Sequence, residues 1–103
     1  MKMEEQLNGY GGAIRWSLFK RAMEYFASPP TPDWQALKKV KVTSYQPIFR
    51  DALADGKVVL QSVEIRYLPA DSVVEKTLTD EQRWHYDEAK GRWLLETGLP
   101  QFK

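Results

Sequence analysis

Apolar residues recur at three- and four-residue steps from about Glu4 to Ala27, which is the pattern of one long amphipathic helix. The stripe consists of Leu7, Ile14, Leu18, Ala22, Tyr25 and Phe26, and it is widened by Trp16, Phe19 and Met23. Glycines at positions 9, 11 and 12 each weaken a helix by up to about 1 kcal/mol relative to alanine. A break or a frayed start is therefore expected near Tyr10.

Prolines mark the end of this helix and the start of another. Ser28-Pro29-Pro30 ends the first, because a proline disfavours helical geometry in the residue before it. Thr31 followed by Pro32 is typical of a helix start, with a hydroxyl cap and a proline at the first position. We predict a short second helix through Trp34 to about Leu37.

Beyond this point the period of the pattern falls to two, which indicates strands. Pro47 lacks a backbone N–H and so places the first strand at an edge or a bulge. Asp55-Gly56 predicts a two-residue hairpin, whose pairing sets Ile48 opposite Val63 on the core face. The same alternation turns Val40, Val42, Ser44, Gln46 and Ile48 to one side of the first strand and Lys41, Thr43, Tyr45, Pro47 and Phe49 to the other.

Two charge pairs predict the register of the later strands. Tight turns over residues 69–72 and 88–91 would set Arg66 opposite Glu75 and Arg83 opposite Glu96, all on the solvent face. The opposite face then collects the apolar residues that a helix would cover: Val63, Ile65, Tyr67, Val74, Leu78, Trp84, Tyr86, Trp93 and Leu95.

These elements predict an α+β fold: a long N-terminal helix, a short second helix and a four-stranded antiparallel meander wrapped on the first helix. With 103 residues, 43% of them hydrophobic and 28% charged, we interpret residues 1–103 as a single domain. A formal net charge of +1 argues against nucleic acid or an anionic membrane as partner. The densest basic patch, Lys38, Lys39 and Lys41, is interpreted as a solvated end of an element, and no transmembrane segment is expected.

Four segments also carry a family resemblance. They are Ala13-Ile14-Arg15-Trp16, Val63-Glu64-Ile65-Arg66-Tyr67, Gln82-Arg83-Trp84-His85-Tyr86 and Trp93-Leu94-Leu95-Glu96-Thr97-Gly98-Leu99-Pro100. In this order of elements, the chain resembles over most of its length a group of small uncharacterised bacterial proteins, often predicted lipoproteins. That group looks like part of the nuclear-transport-factor-2-like, or cystatin-like, superfamily.

The resemblance implies a cystatin-like fold and an exported or periplasmic location, although the chain alone is also compatible with the cytoplasm. The superfamily contains enzymes such as ketosteroid isomerases and dehydratases, and also non-enzymatic binding or dimerisation domains. Fold alone does not choose between them.

The alternation turns several polar residues toward the face that a helix should keep dry: Lys76, Asp80, Gln82, Gln46 and Ser44. Either they line the mouth of a pocket on a concave sheet, or they lie beyond the helix in solvent. In a pocket, Asp80 would be a general base or acceptor, Gln82 an orienting amide and Lys76 an anion partner, with hydroxyls from Tyr67 and Tyr86.

No cofactor or metal is expected. The sequence has no cysteine, so thiolate catalysis and thiolate metal sites are excluded. His85 is the only histidine, and the register turns it outward, so we interpret it as an exposed strand residue. The glycines at 9, 11 and 12 follow no strand and do not form a phosphate-binding loop.

Two functional hypotheses follow. The leading one is a non-enzymatic binding or interaction module that binds a small apolar ligand or a protein partner, for which the resemblance implies a place at the bacterial cell envelope. The alternative is a small isomerase- or dehydratase-type enzyme with a pocket on the concave face. A homodimer is also predicted, because the register leaves Tyr45, Phe49 and Leu94 together on the outer sheet face.

Overall fold

The structure, a computed structural model, describes residues 3–69 and 71–102. Within these residues, three helices precede four strands. The helices are α1 (Met3–Arg15), α2 (Phe19–Ala22) and α3 (Trp34–Leu37), with a 3-10 turn over Met23–Tyr25 after α2. The strands are β1 (Lys41–Leu53), β2 (Val58–Leu68), β3 (Lys76–Asp87) and β4 (Arg92–Leu95). This is the predicted α+β arrangement of an N-terminal helix, a short helix and an antiparallel meander, with strand order β1-β2-β3-β4.

The long N-terminal helix is interrupted, but the predicted position of the break is wrong. Tyr10 is fully buried inside α1, whereas the chain turns at Ser17, whose φ is 58°. Glycine is needed at position 11, where a Cβ atom would lie only 2.7 Å from the ring of Tyr45. The glycine-rich half of α1 therefore allows close packing against an aromatic ring and does not end the helix.

The short helix α3 begins later than predicted. Its cap is Asp33, whose Oδ1 accepts hydrogen bonds from the backbone N–H groups of Gln35 and Ala36 at 3.1 and 3.2 Å. The predicted cap, Thr31, lies before the helix. Aspartate is at least as good an N-cap as threonine, and Asp33 is the residue directly before the first helical residue, Trp34.

The register between β3 and β4 is as predicted. Arg83 Nε lies 3.4 Å from Glu96 Oε1 across the outer face, and the backbone N–H of Glu96 donates to the carbonyl of Arg83 at 2.8 Å. Beyond this, β4 makes a parallel bridge through Leu95 to Phe26, so the segment after α2 lies along the edge of the sheet.

Between β2 and β3 the predicted register is wrong by two residues. Arg66 lies opposite Thr77, and its Nε is 3.5 Å from Glu64. Glu75 lies before the strand and accepts a hydrogen bond from Thr43 Oγ1 at 2.7 Å. The connection is thus longer than the tight turn predicted over residues 69–72, of which residue 70 is outside the described part.

Two bulges change which residues of β1 face the helices. The pairing expected from Asp55-Gly56 holds from Leu53 back to Phe49, but the register then shifts between Pro47 and Phe49. Ile48 is therefore exposed and does not pair with Val63, whose partner is Pro47. The edge position and the bulge are both those that proline favours, since it cannot donate a hydrogen bond to the ladder.

Between the two bulges the faces of β1 are reversed relative to the prediction. Tyr45 pairs with Ile65 and packs against the core, while Ser44 and Gln46 lie on the outer face. A second shift between Val42 and Ser44 returns Val42 to the core. One inserted residue moves every later side chain to the other face, and a second one restores it.

The core lies between α1, α2 and the inner face of the sheet. Its largest fully buried side chain is Trp84, with Tyr10 next in volume. Of the nine residues predicted for this face, Val63, Ile65, Tyr67, Trp84, Trp93 and Leu95 are buried, and Leu78 and Tyr86 pack at its margin. The prediction is wrong for Val74, which is 66% exposed because it precedes β3. In residues 3–69 and 71–102, no helix has the length and apolar character needed to cross a bilayer.

Candidate functional site

Three polar side chains are buried on the inner face of the sheet beside the core. Gln61 and Gln82 are each 2% exposed, and Asp80 is 8% exposed. They meet because β2 and β3 pair Gln61 directly with Gln82, and because Asp80 and Gln82 are two residues apart on one face of β3. A buried polar group costs stability unless it is hydrogen-bonded, so their bonds decide what the cluster can do.

Gln82 is the centre of this cluster. Its Oε1 accepts hydrogen bonds from Gln61 Nε2 at 3.0 Å and from Trp84 Nε1 at 2.9 Å. Its Nε2 donates to Asp80 Oδ2 at 2.9 Å and to the hydroxyl of Tyr45 at 3.0 Å. Both ends of the amide are thus used, which fixes its orientation.

Arg50 extends the cluster toward the surface. Its Nε donates to Gln61 Oε1 at 2.8 Å, so a chain of bonds runs from an exposed guanidinium to the buried carboxyl of Asp80. We call this set the Gln82 network, formed by Tyr45, Arg50, Gln61, Asp80, Gln82 and Trp84.

Burial shifts the acid–base properties of the network toward neutral forms. It raises the pKa of Asp80 above its ordinary value, and the hydrogen bond from Gln82 opposes that rise only in part. Burial likewise raises the pKa of Tyr45 to about 12. The pKa of Tyr10 is raised well above the usual range by burial, with a further contribution from Asp80, and its buried hydroxyl has no hydrogen-bond partner among the described residues.

A cleft of about 260 Å³ opens beside this network at the protein surface, between α1 and β1. We call it the α1–β1 cleft. It is lined by Leu7, Asn8, Gly11, Gly12 and Arg15 from α1, and by Tyr45, Pro47, Arg50 and Gln61 from the sheet. Two arginines line it, and none of the described residues in its lining is acidic. Asp80 is not among them, since Gln82 and Tyr45 separate its carboxyl from this opening.

The structure brings only part of the predicted site together. Asp80 and Gln82 share the buried network, whereas Lys76 is exposed near the start of β3. Tyr67 is buried and its ring packs against Phe102 at 5.1 Å between centroids. Tyr86 is half-buried and contacts the ring of Trp93, away from the network. Gln46 and Ser44 lie on the outer face, as described above.

The predicted interface trio is also separated. Tyr45 packs against the core, because the register shift between Pro47 and Phe49 reverses its face. Leu94 is only 3% exposed. Leu94 pairs with His85 on β3 and is buried within the chain itself. Phe49 remains exposed at 57%, so the predicted surface is wrong in two of its three members. Self-association itself stays a prediction.

Gln61, Arg50 and Tyr10 belong to the site but were not predicted from the sequence. Gln61 had a usable signal, because it alternates with Val59 and Val63 on the buried face of β2. Counting back from the hairpin places Arg50 opposite it. Tyr10 had no such signal, because the sequence pattern does not show whether the hydroxyl of a core tyrosine has a hydrogen-bond partner.

No metal site is found in the described part of the chain, where no three His, Asp or Glu side chains are grouped as ligands would be. His85 lies on the outer face of β3, with Nδ1 3.2 Å from Glu96 Oε1. It is half-buried, and more enclosed than the exposed residue predicted from the sequence.

The raised pKa of Asp80 predicts a pH-dependent effect of Asp80→Asn. The folded state keeps the Asp80 proton to higher pH than the unfolded chain does, so this group favours folding most below the ordinary pKa of about 3.9, and that contribution is lost as the pH rises through the folded pKa. Asparagine retains an acceptor for Gln82 and cannot ionise. We therefore expect the stability of the variant, relative to the wild type, to increase between pH 3 and pH 7 in urea denaturation.

Asp51→Asn is the matched control, because it makes the same substitution at an exposed position of β1 and so removes no buried carboxyl. If Asp80→Asn instead became relatively less stable toward pH 7, the carboxylate would be stabilised by the network, and the direction inferred from burial would be incorrect.

Comparison with known proteins adds no relative: no protein-family model, curated protein or solved structure matches this chain. The resemblance to the cystatin-like superfamily therefore stays a prediction, and function has to be argued from the cleft and the network.

Proposed function

We propose that this protein is a non-enzymatic binding module and that the α1–β1 cleft is its ligand site. The observation that carries the proposal is the position of the Gln82 network. It presents Tyr45, Arg50 and Gln61 to the cleft while holding Asp80 behind them. A cleft wall whose polar groups are already oriented by buried bonds is suited to binding, because little ordering remains to be done when a ligand arrives.

The chemistry of the lining favours a compact polar ligand that carries an anionic group. Arg15 and Arg50 supply positive charge, and no lining side chain opposes it. Arg50 is not in an ion pair within the described residues, so its outer N–H groups are available to a carboxylate or phosphate. This differs from the small apolar ligand expected from the sequence, since Arg15, Arg50 and Gln61 place charged and polar groups on the lining.

A test follows amide chemical shifts by NMR while acetate, succinate, benzoate and inorganic phosphate are added in turn. At least one should shift the amides of Gly11, Gly12 and Tyr45 saturably. Arg50→Met should weaken that binding by at least about ten-fold, because it removes the charge and both outer donors while keeping an unbranched side chain. Lys90→Met, in the exposed β3–β4 turn, is the matched control. Chemical-shift changes confined to residues outside the cleft would contradict the proposal, and so would equal effects of Arg50→Met and Lys90→Met on affinity.

The isomerase- or dehydratase-type enzyme is the second candidate, and one observation favours it. Asp80 has the raised pKa that a general base needs, and it lies near the unpartnered hydroxyl of Tyr10. For it to act on a substrate, the Gln82 network would have to open. Asp80→Asn distinguishes the two candidates: a binding module keeps its affinity in the NMR titration, whereas an enzyme that uses this base loses its turnover.

Self-association and a place at the cell envelope remain part of the proposal. The second half of β1, residues 46–53, supports self-association. All of these residues are exposed, and they include the apolar side chains Ile48, Phe49 and Leu53. The envelope location is supported by the resemblance in sequence.

A further inference from the structure

A second recess lies between the two short helices. It has a volume of about 330 Å³, which is within the range of small-molecule sites. Phe19 of α2 forms one wall, Trp34 and Leu37 of α3 form the other, and Val40 contributes just before β1. We call this recess the α2–α3 groove. Its lining is predominantly apolar.

The groove is a consequence of the corner at Ser17. The positive φ there turns the chain out of α1 so that α2 starts on a new axis. The corner is held by a hydrogen bond from the backbone N–H of Val42 to Ser17 Oγ at 3.1 Å and by one from Arg15 to the carbonyl of Val42 at 3.1 Å. Because the same residue of β1 makes both bonds, the α2 wall is fixed relative to the strand that follows α3.

The rim of the groove is cationic. Lys20, Arg21 and Lys38 line it, and its lining includes no Asp or Glu from residues 3–69 and 71–102. Within the described residues, none of the three is in an ion pair, although Lys20 Nζ lies 5.7 Å from the centre of the Trp34 ring.

The charge of this region is a property of the sequence as well. The chain has 15 Lys and Arg residues against 14 Asp and Glu, yet the segments 6–23 and 34–50 contain no acidic residue. The fold places these two segments side by side at Ser17 and Val42. Lys39 of the second segment pairs with Asp71 at 3.7 Å, but neither segment supplies a carboxylate to the cations on the groove rim.

We propose that the α2–α3 groove binds a single-chain amphiphile with an anionic head group. Its apolar chain would cover Phe19, Leu37 and Val40, and its head would lie among the rim cations. Apolar burial alone would accept any chain, whereas the cationic rim selects the sign of the head group. This site is separate from the α1–β1 cleft and does not depend on the function proposed for it.

The recessed floor favours a dissolved monomer over the surface of a bilayer. Phe19 and Val40 are 5% and 7% exposed, so only a chain that enters the groove can extend their contacts. A flat lipid surface would first meet Trp16, which is 68% exposed and carries the guanidinium of Arg15 over its ring at 4.4 Å.

The test uses decanoate and decyltrimethylammonium, both below their micelle concentrations, in NMR titrations of the whole chain. These probes share a chain length and differ in the charge of the head. Decanoate should saturably shift the amides of Phe19, Leu37 and Val40, and decyltrimethylammonium should bind at least about ten-fold more weakly. Added salt should weaken decanoate binding, because exposed charges are screened.

Charge reversal on the rim provides the second arm. Arg21→Glu, on α2, and Lys38→Glu, directly after α3, should each reduce decanoate affinity by about ten-fold or more. Lys90→Glu makes the same change of charge in the distant β3–β4 turn and should alter the affinity by less than about two-fold, which is all that a long-range effect of net charge allows at physiological salt.

Three outcomes would overturn the proposal. Equal binding of the two amphiphiles would mean non-specific apolar association. Equal effects of Lys38→Glu and Lys90→Glu would mean that net charge, and not the rim, attracts the anion. Cosedimentation with anionic phosphatidylglycerol vesicles, with no saturable shifts from decanoate, would identify a membrane-docking surface around Trp16 instead of a groove for a monomer.

Discussion

Replacing Trp84 with alanine is expected to destabilise the fold by about 3–5 kcal/mol, the cost of removing a large aromatic side chain from a core that cannot fully collapse. Trp84 is completely buried, and its ring makes edge contacts to Tyr10 and Tyr25 at centroid distances of 5.5 and 6.4 Å. Its Nε1 also donates to Gln82, so the substitution removes a hydrogen bond from the network as well. Urea denaturation would measure the change as a lower midpoint.

Arg83→Ala is the control, since it changes the adjacent residue on the outer face of the same strand. Both members of the Arg83–Glu96 pair are substantially exposed, so losing the pair should cost under about 1 kcal/mol. If the two variants lost similar stability, packing of the inner sheet face against the helices would not be the main source of the stability of the sheet.

The general arrangement of the fold follows from periodicity, and the register follows only where a turn is short. Asp87 and Arg92 close β3 and β4 over a tight turn, in which Gly91 adopts a φ of 64°. Such a turn leaves no alternative pairing. The same sequence reasoning is correct for β1 and β2 from Leu53 back to Phe49, where Asp55-Gly56 fixes the start.

The error between β2 and β3 has an energetic cause. The pair Arg66–Glu75 would be exposed, and an exposed pair contributes under about 1 kcal/mol, too little to decide a register. A shift of two residues keeps every side chain on its original face, so Val63, Ile65 and Tyr67 remain in the core in both registers. The apolar pattern therefore fixes the faces of the strand without fixing its partner residue.

The bulges of β1 explain most of what was missed at the site. Pro47 indicates a bulge near it, but nothing in the sequence marks the second shift between Val42 and Ser44. Counted from the hairpin, the shift between Pro47 and Phe49 turns Tyr45 inward, and the second shift returns Val42 to the core. A regular alternation without these shifts places Tyr45 outside, and the network loses its hydroxyl. Asp80 and Gln82 were found because β3 is regular, and a regular alternation reports buried polar residues directly.

The network gives the second large expected effect, on Gln82→Leu. Leucine fills a similar volume and makes none of the four hydrogen bonds. Two buried donors, on Gln61 and Trp84, would lose their acceptor, and the acceptors on Asp80 and Tyr45 would lose their donor. An unsatisfied buried polar group costs roughly 1–3 kcal/mol, so we expect a loss of at least about 3 kcal/mol in urea denaturation even after partial relaxation.

Gln46→Leu is the matched control, because it makes the same substitution at an exposed position of β1 and should change stability by no more than about 0.5 kcal/mol.

A double variant, Asp80→Leu with Gln82→Leu, tests whether the loss comes from unpaired groups. When both partners of a buried bond become apolar, no carboxyl remains without its donor, so the double variant should lose less than the sum of the two single losses. Additive losses would mean that Asp80 and Gln82 contribute separately. In that case the buried amide would not couple the carboxyl to the wall of the α1–β1 cleft, and Arg50 and Tyr45 would have to be positioned by packing alone.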